Sequence, residues 1–138
     1  MAFSLRIQSV VGKRIVDTEA ILRVVADVQN QYARDIVARG QNYPAERPNQ
    51  KYVRTYKLRS AWRIIPSRRS GDRQVVDITN NATDKRPGRT YAGYVFGTDD
   101  KGSGQSAYHV GRWPTKGQLA DRETYRQQVQ AAIAEGVR

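Results

Sequence analysis

Between Asp17 and Arg39 the residues Ile21, Leu22, Val25, Val28, Tyr32, Ile36 and Val37 recur at steps of three and four. That period gathers them on one stripe of an α-helix. Arg23, Asp27, Asn30, Arg34 and Arg39 take the rest of its surface. A helix of this length with one apolar stripe has to bury it, so the remaining chain must supply a sheet or further helices as its partner. Asp17 is placed to cap the first turn, Glu19 adds negative charge where the helix dipole favours it, and Gly40 stands where a C-cap glycine belongs.

The partner is legible as strands. In FSLRIQSVV, residues 3 to 11, Phe3, Leu5 and Ile7 point one way and Ser4, Arg6 and Gln8 the other, the period of a half-buried strand; Gly12 ends it. QNYPAERPNQKY, 41 to 52, is a loop holding Pro44 and Pro48. TYKLRSAWRIIPS begins as a helical turn at 57 to 61 and becomes a strand through Trp62, Ile64 and Ile65, with Pro66 as its end. SRRSGD is a charged tip, and RQVVDIT, 73 to 79, returns from it, setting Val75, Asp77 and Thr79 against Val76 and Ile78. Residues 62 to 79 therefore predict a β-hairpin tipped with arginine, a shape expected to reach beyond the body. TYAGYVFGT, 90 to 98, fits a buried strand or a short helix equally well. Leu119, Tyr125, Val129, Ala132 and Ile133 predict a second amphipathic helix ending at Gly136. The expected fold is a single α+β domain over 1–138. It has an N-terminal strand and long helix, an antiparallel sheet with an extended β-hairpin, and a C-terminal helix, with mobile loops at about 41–52, 83–90 and 98–107.

Composition narrows the function classes. Hydrophobic residues make up 38% of the 138, and mean hydropathy is −0.74, low for a self-contained globule. No cysteine is present, which excludes disulfides, thiolate metal sites and cysteine catalysis. The single histidine, His109, has no clustered carboxylates in sequence and reads as a surface or packing residue. Asp99 and Asp100 lack the spacing of a calcium loop, GTDDKGSG lacks the lysine and hydroxyl residue of a phosphate loop, and Ser60 sits in LRSAW rather than a nucleophile elbow. No catalytic, metal-binding or cofactor-binding residue is expected. The N-terminus has no signal-peptide core and no apolar run reaches membrane-spanning length, so a soluble chain made in the cytoplasm, with no membrane partner, is expected.

Charge points outward to a partner. The net charge is +11. From Arg47 to Arg73 the bases are Arg47, Lys51, Arg54, Lys57, Arg59, Arg63, Arg68, Arg69 and Arg73, opposed within that span by Asp72 and by no other acid. Such a surface suits phosphate or an acidic protein. Tyr52, Tyr56 and Trp62 interleave with these bases, a mixture that suits nucleic acid as well, unless Trp62 points into a core.

Four pieces occur in order: YVRTYKLRSAWRI at 52–64, NNA at 80–82, YAGYVFGT at 91–98, and HVGRWPT at 109–115 ahead of the last helix. Together, over about residues 50 to 135, they resemble the tail-completion (neck, or minor tail) proteins of long-tailed bacteriophages. Tyr56 departs from the family's common glycine, and Val95 stands where a glutamate often precedes the F-G-T piece. The resemblance implies a structural virion protein without catalysis, assembled in the host cytoplasm and placed in the phage neck or tail. It implies a homo-oligomeric ring of six or twelve copies that joins the head connector or adaptor to the tail tube or tail terminator, with genomic DNA passing through the lumen. On that reading Arg54, Lys57, Arg59, Arg63, Arg68, Arg69 and Arg73 meet a neighbouring protein or line the DNA channel. Trp62, Tyr91, Tyr94, Phe96, Gly97 and Trp113 serve as structural anchors. A basic nucleic-acid-binding domain is the alternative, and a small hydrolase or toxin using His109 with a carboxylate a third reading.

Overall fold

The computed structural model describes residues 3–10, 18–45, 48, 57–82, 91–106 and 109–136. The elements run β1 (Phe3–Val10), α1 (Thr18–Gln41), α2 (Lys57–Ser60), β2 (Trp62–Ser70), β3 (Arg73–Asn80), α3 (Tyr91–Phe96), α4 (Lys116–Ala120) and α5 (Arg122–Gly136). The strands form one antiparallel sheet in the order β1-β3-β2, so the fold is α+β with the architecture expected. Asp17, Gly12, Arg54, Tyr52, Tyr56 and the loop 83–90 lie outside the described residues.

Helix α1 crosses one face of the sheet, and α5 lies alongside α1. Its stripe buries Leu22, Val25, Tyr32 and Ile36 as the spacing requires, together with Ala33. Phe3, Leu5 and Ile7 of β1 and Val76 and Ile78 of β3 meet it from the sheet. The aromatic centre of this core is Phe96, with ring centroids 6.0 Å from Phe3, 5.9 Å from Trp62 and 5.8 Å from Trp113. The segment 91–96 is thus a helix, and Ala92, Gly93, Val95 and Phe96 are its buried residues. It could not turn where it does without Gly97: φ there is +88°, and a Cβ would stand 2.5 Å from the Gly102 backbone.

The hairpin does not stand clear of the body. β1 pairs with all of β3, from Phe3 opposite Asn80 to Val10 opposite Arg73, so the tip is level with the end of the neighbouring strand. Pro66 does not end β2 either. The strand absorbs it in an irregularity between Ile65 and Arg68 and continues to Ser70, as an edge strand can.

Two boundaries differ from the sequence reading for packing reasons. Gly40 lies inside α1, where a Cβ would stand 2.3 Å from the Trp62 ring, so its role is close approach rather than capping. The C-terminal helix is divided by Asp121, which adopts the left-handed conformation (φ 45°) at the end of α4. Thr115 opens α4 with a reciprocal cap shared with Gln118. The break frees the carbonyl of Leu119, and Arg39 of α1 donates to it at 2.6 Å and 3.2 Å. No described helix is long and apolar enough to cross a membrane.

Candidate interface: a seated basic corner beside an open sheet face

Only one face of the sheet is covered by helices among the described residues. The other carries Ser4, Arg6 and Gln8 of β1, Val75, Asp77 and Thr79 of β3, and Arg63, Ile65 and Arg68 of β2. Ile65 is 45% exposed there. Asp77, on the central strand, is nonetheless buried. Arg6 from one neighbouring strand donates through Nε at 2.8 Å and Nη2 at 3.2 Å, and Arg68 from the other donates to Oδ2. The Arg6 hydrogen bonds hold the Asp77 carboxyl below the usual carboxylate range; burial opposes them, and Arg68 adds to the lowering. A carboxylate depressed in the fold stabilises above its unfolded value, about 3.9, and that contribution is lost as pH falls through the folded value. Asp77→Asn should therefore cost about 1–2 kcal/mol at neutral pH, discounted because both guanidiniums are partly exposed to solvent. The difference from wild type should shrink below about pH 4, and urea midpoints at several pH values measure it.

The expected basic residues divide into two groups. Those near the tip have acids close by: Arg68 reaches Asp77, Arg69 pairs with Glu19 at the start of α1, and Arg73 lies 4.0 Å from Asp72. Two of these acids lie outside the 47–73 span, and the fold brings them in. Lys57, Arg59 and Arg63, at the other end of β2, are exposed and form no ion pair among the described residues. Their backbone is firmly seated. Leu58 is buried, and its carbonyl accepts from the Asn80 side chain at 2.9 Å. The Arg59 N–H donates to the Tyr43 hydroxyl at 3.0 Å, and its carbonyl accepts from Gln41 at 3.0 Å. Arg63 folds back, donating to the carbonyls of Ser60 and Trp62 at 3.3 Å and 2.9 Å. The result is a cationic corner fixed in its main chain, with the Lys57 and Arg59 side chains exposed and the Arg63 guanidinium held against its own backbone. Asn80 was missed as a positioning residue. Its Oδ1 also accepts from the Ala82 N–H at 3.0 Å, which joins the strand end, α2 and the next turn.

Comparison with family models, with curated proteins and with solved structures finds no match to this chain.

The other sequence candidates sort as follows. Trp62, Phe96 and Trp113 are buried and Tyr91 is half-buried against the core, whereas Tyr94 is 39% exposed and rests edge-on at 5.7 Å to His109. His109 is 6% exposed, wedged between Tyr94 and Trp113, which makes it a packing residue. Asp99 organises its own loop: its carboxylate accepts from the N–H groups of Lys101 and Ser103, and hydrogen bonding with Ser103 lowers its pKa first of all. Asp100 pairs with Arg122. The loop from 98 to 106 is closed by internal bonds, including Thr98 N–H to Ser103 at 2.7 Å and Gly102 N–H to Asp99 at 3.0 Å. No group of three or more potential metal ligands occurs among the described residues.

Proposed function

We propose that this chain is a structural assembly protein of a tailed bacteriophage. In this reading it forms a ring in the neck, joining the head connector to the tail tube around the DNA channel, without catalysis. One observation carries the reading from the chain itself: Lys57, Arg59 and Arg63 form a corner whose backbone is fixed by Asn80, Gln41 and Tyr43 and whose charges have no counter-ion among the described residues. A cationic corner with a fixed backbone, beside a sheet face that no described helix covers, suits docking on an acidic surface, where charge complementarity sets register and partner choice. The resemblance of 52–64, 80–82, 91–98 and 109–115 to tail-completion proteins names the setting, and the corner lies within the first of those pieces.

The alternative, a nucleic-acid-binding domain, uses the same cations. It loses its best base-stacking aromatic, because Trp62 is buried between Phe3 and Phe96. Arg59→Glu combined with Arg63→Glu tests both readings. The fold should survive, since both side chains are exposed. In the phage that encodes the chain, the double variant should leave filled heads and complete tails unjoined in electron micrographs, with plaque counts down by a thousandfold or more. Arg73→Glu, beside Asp72 at the tip, should join normally. Normal joining by the double variant, with steeply salt-dependent DNA binding lost instead, would favour the alternative.

A further inference from the structure

The two edges of the sheet are not alike. Edge strand β2 carries Pro66, which has no N–H, and an irregular register between Ile65 and Arg68, two devices that discourage further strand pairing. Edge strand β1, FSLRIQSV, has neither a proline nor a register shift against β3. Among the described residues it pairs with β3 alone. In an antiparallel strand, alternate residues turn their N–H and C=O groups away from the paired neighbour, so β1 offers a row of them outward. A groove of about 430 Å³ adjoins this strand, lined by Arg6 and Gln8, by Ile7 and Ser9, and by Tyr125 and Val129 of α5 among others. The first pair belongs to the open face and the second to the core face, so the groove follows the strand's edge rather than either face.

We propose that a second copy of this chain lays its own β1 antiparallel along this edge, joining two three-stranded sheets across a two-fold axis. The sequence of β1 fits itself. Directly opposite residues in an antiparallel pair share a face, so core-facing positions have to meet core-facing positions. Two long self-pairings satisfy this. One is centred on Arg6 and sets two guanidiniums opposite each other, which is unfavourable. The other is centred on Ile7. It places Ile7 opposite Ile7 of the second copy, Leu5 opposite Ser9, and Arg6 opposite Gln8. The helix wall of the groove also carries Arg122 and Arg126; each is paired with an acid, Asp100 and Glu123, which tempers its opposition to a second copy. This interface is isologous and closes at two copies. It does not rest on the neck reading: a ring with different partners on its two faces is built from head-to-tail contacts, so this pair forms apart from the ring contacts.

Sedimentation of the full-length chain over a concentration series tests the inference, with variants at Gln8, which is exposed. Wild type should show a reversible dimer. Gln8→Glu, facing Arg6 twice across the axis, should tighten it, and Gln8→Lys should weaken it, each by about tenfold. Because the chain has no cysteine, an equal mixture of Arg6→Cys and Gln8→Cys chains should give a disulfide-linked pair that neither forms alone. A monomer throughout the series, or self-association of equal strength in both Gln8 variants, or a mixture that fails to cross-link would overturn the proposal. A monomer that still joins heads to tails counts against this interface alone. A dimer that never joins them counts against the neck reading alone.

Discussion

Phe96→Ala is expected to remove a large part of the protein's margin of stability, about 3–5 kcal/mol. Phe96 is completely buried and touches the aromatic rings of Phe3, Trp62 and Trp113, which come from β1, β2 and the segment before α4. Removing the ring deletes three aromatic contacts at once and leaves a cavity that Gly97 cannot help to close, because its backbone is already against Gly102. Domains of this size have about 5–15 kcal/mol in total. The urea midpoint should fall accordingly, and near-ultraviolet circular dichroism should lose the tryptophan signal before the helical signal goes. Phe96→Leu should recover about half of the loss. A loss under 1 kcal/mol for the alanine variant would mean that the ring is not the keystone described.

Gln29→Leu is expected to cost about 2–4 kcal/mol although it replaces a polar residue with an apolar one of similar size in the interior. Gln29 is fully buried in α1. Its Nε2 donates to the Gln74 carbonyl at 2.8 Å and to the Tyr125 hydroxyl at 3.0 Å, and its Oε1 accepts from the Ser67 hydroxyl at 2.6 Å. The network continues from Gln74 to Ser67 at 2.9 Å and between Tyr125 and Ser9 at 2.7 Å. One amide thereby ties α1, both arms of the hairpin and α5 together at the end of the sheet farthest from Phe96. Leucine takes the acceptor from the Ser67 hydroxyl and the side-chain donor from the Gln74 carbonyl, while Tyr125 keeps Ser9; a buried group left unpaired costs more than its bond contributed. Chemical denaturation of Gln29→Leu, Ser67→Ala and the double variant separates this from a packing defect. Ser67→Ala should cost far less once Gln29 is gone, and strict additivity would rule out the network.

The network also shows what the sequence reveals and what it hides. The stripe of α1 and the alternation of β1 and β3 were legible because each uses one apolar period from end to end. Gln29 sits on the same face, between Val25 and Tyr32 or Ala33 at helical steps, yet a polar residue in an apolar row is easily passed over. Its partners, Gln74 and Tyr125, are 45 and 96 residues away. Asp77 was assigned to the right face by alternation, but its burial depends on arginines from two different strands. The break at Asp121 was hidden because the left-handed position carries an aspartate rather than the glycine that usually marks it; Arg39 adds a supporting bond to Leu119 from 80 residues away. In 90–98 a short apolar run fits either period, and the helix is decided by the aromatic cluster around Phe96. The charge count from 47 to 73 overstated the bare positive surface, since Glu19 and Asp77 arrive only with the fold.

The mass of the chain, measured alone and after mixing with head connectors of the phage that the proposed function implies, tests the proposed assembly role most directly. The account predicts that many copies add to each connector as one discrete step, that the added mass is a ring's worth of subunits, and that Arg59→Glu with Arg63→Glu abolishes the step. A chain that leaves the connector mass unchanged at concentrations where it is fully folded would contradict it.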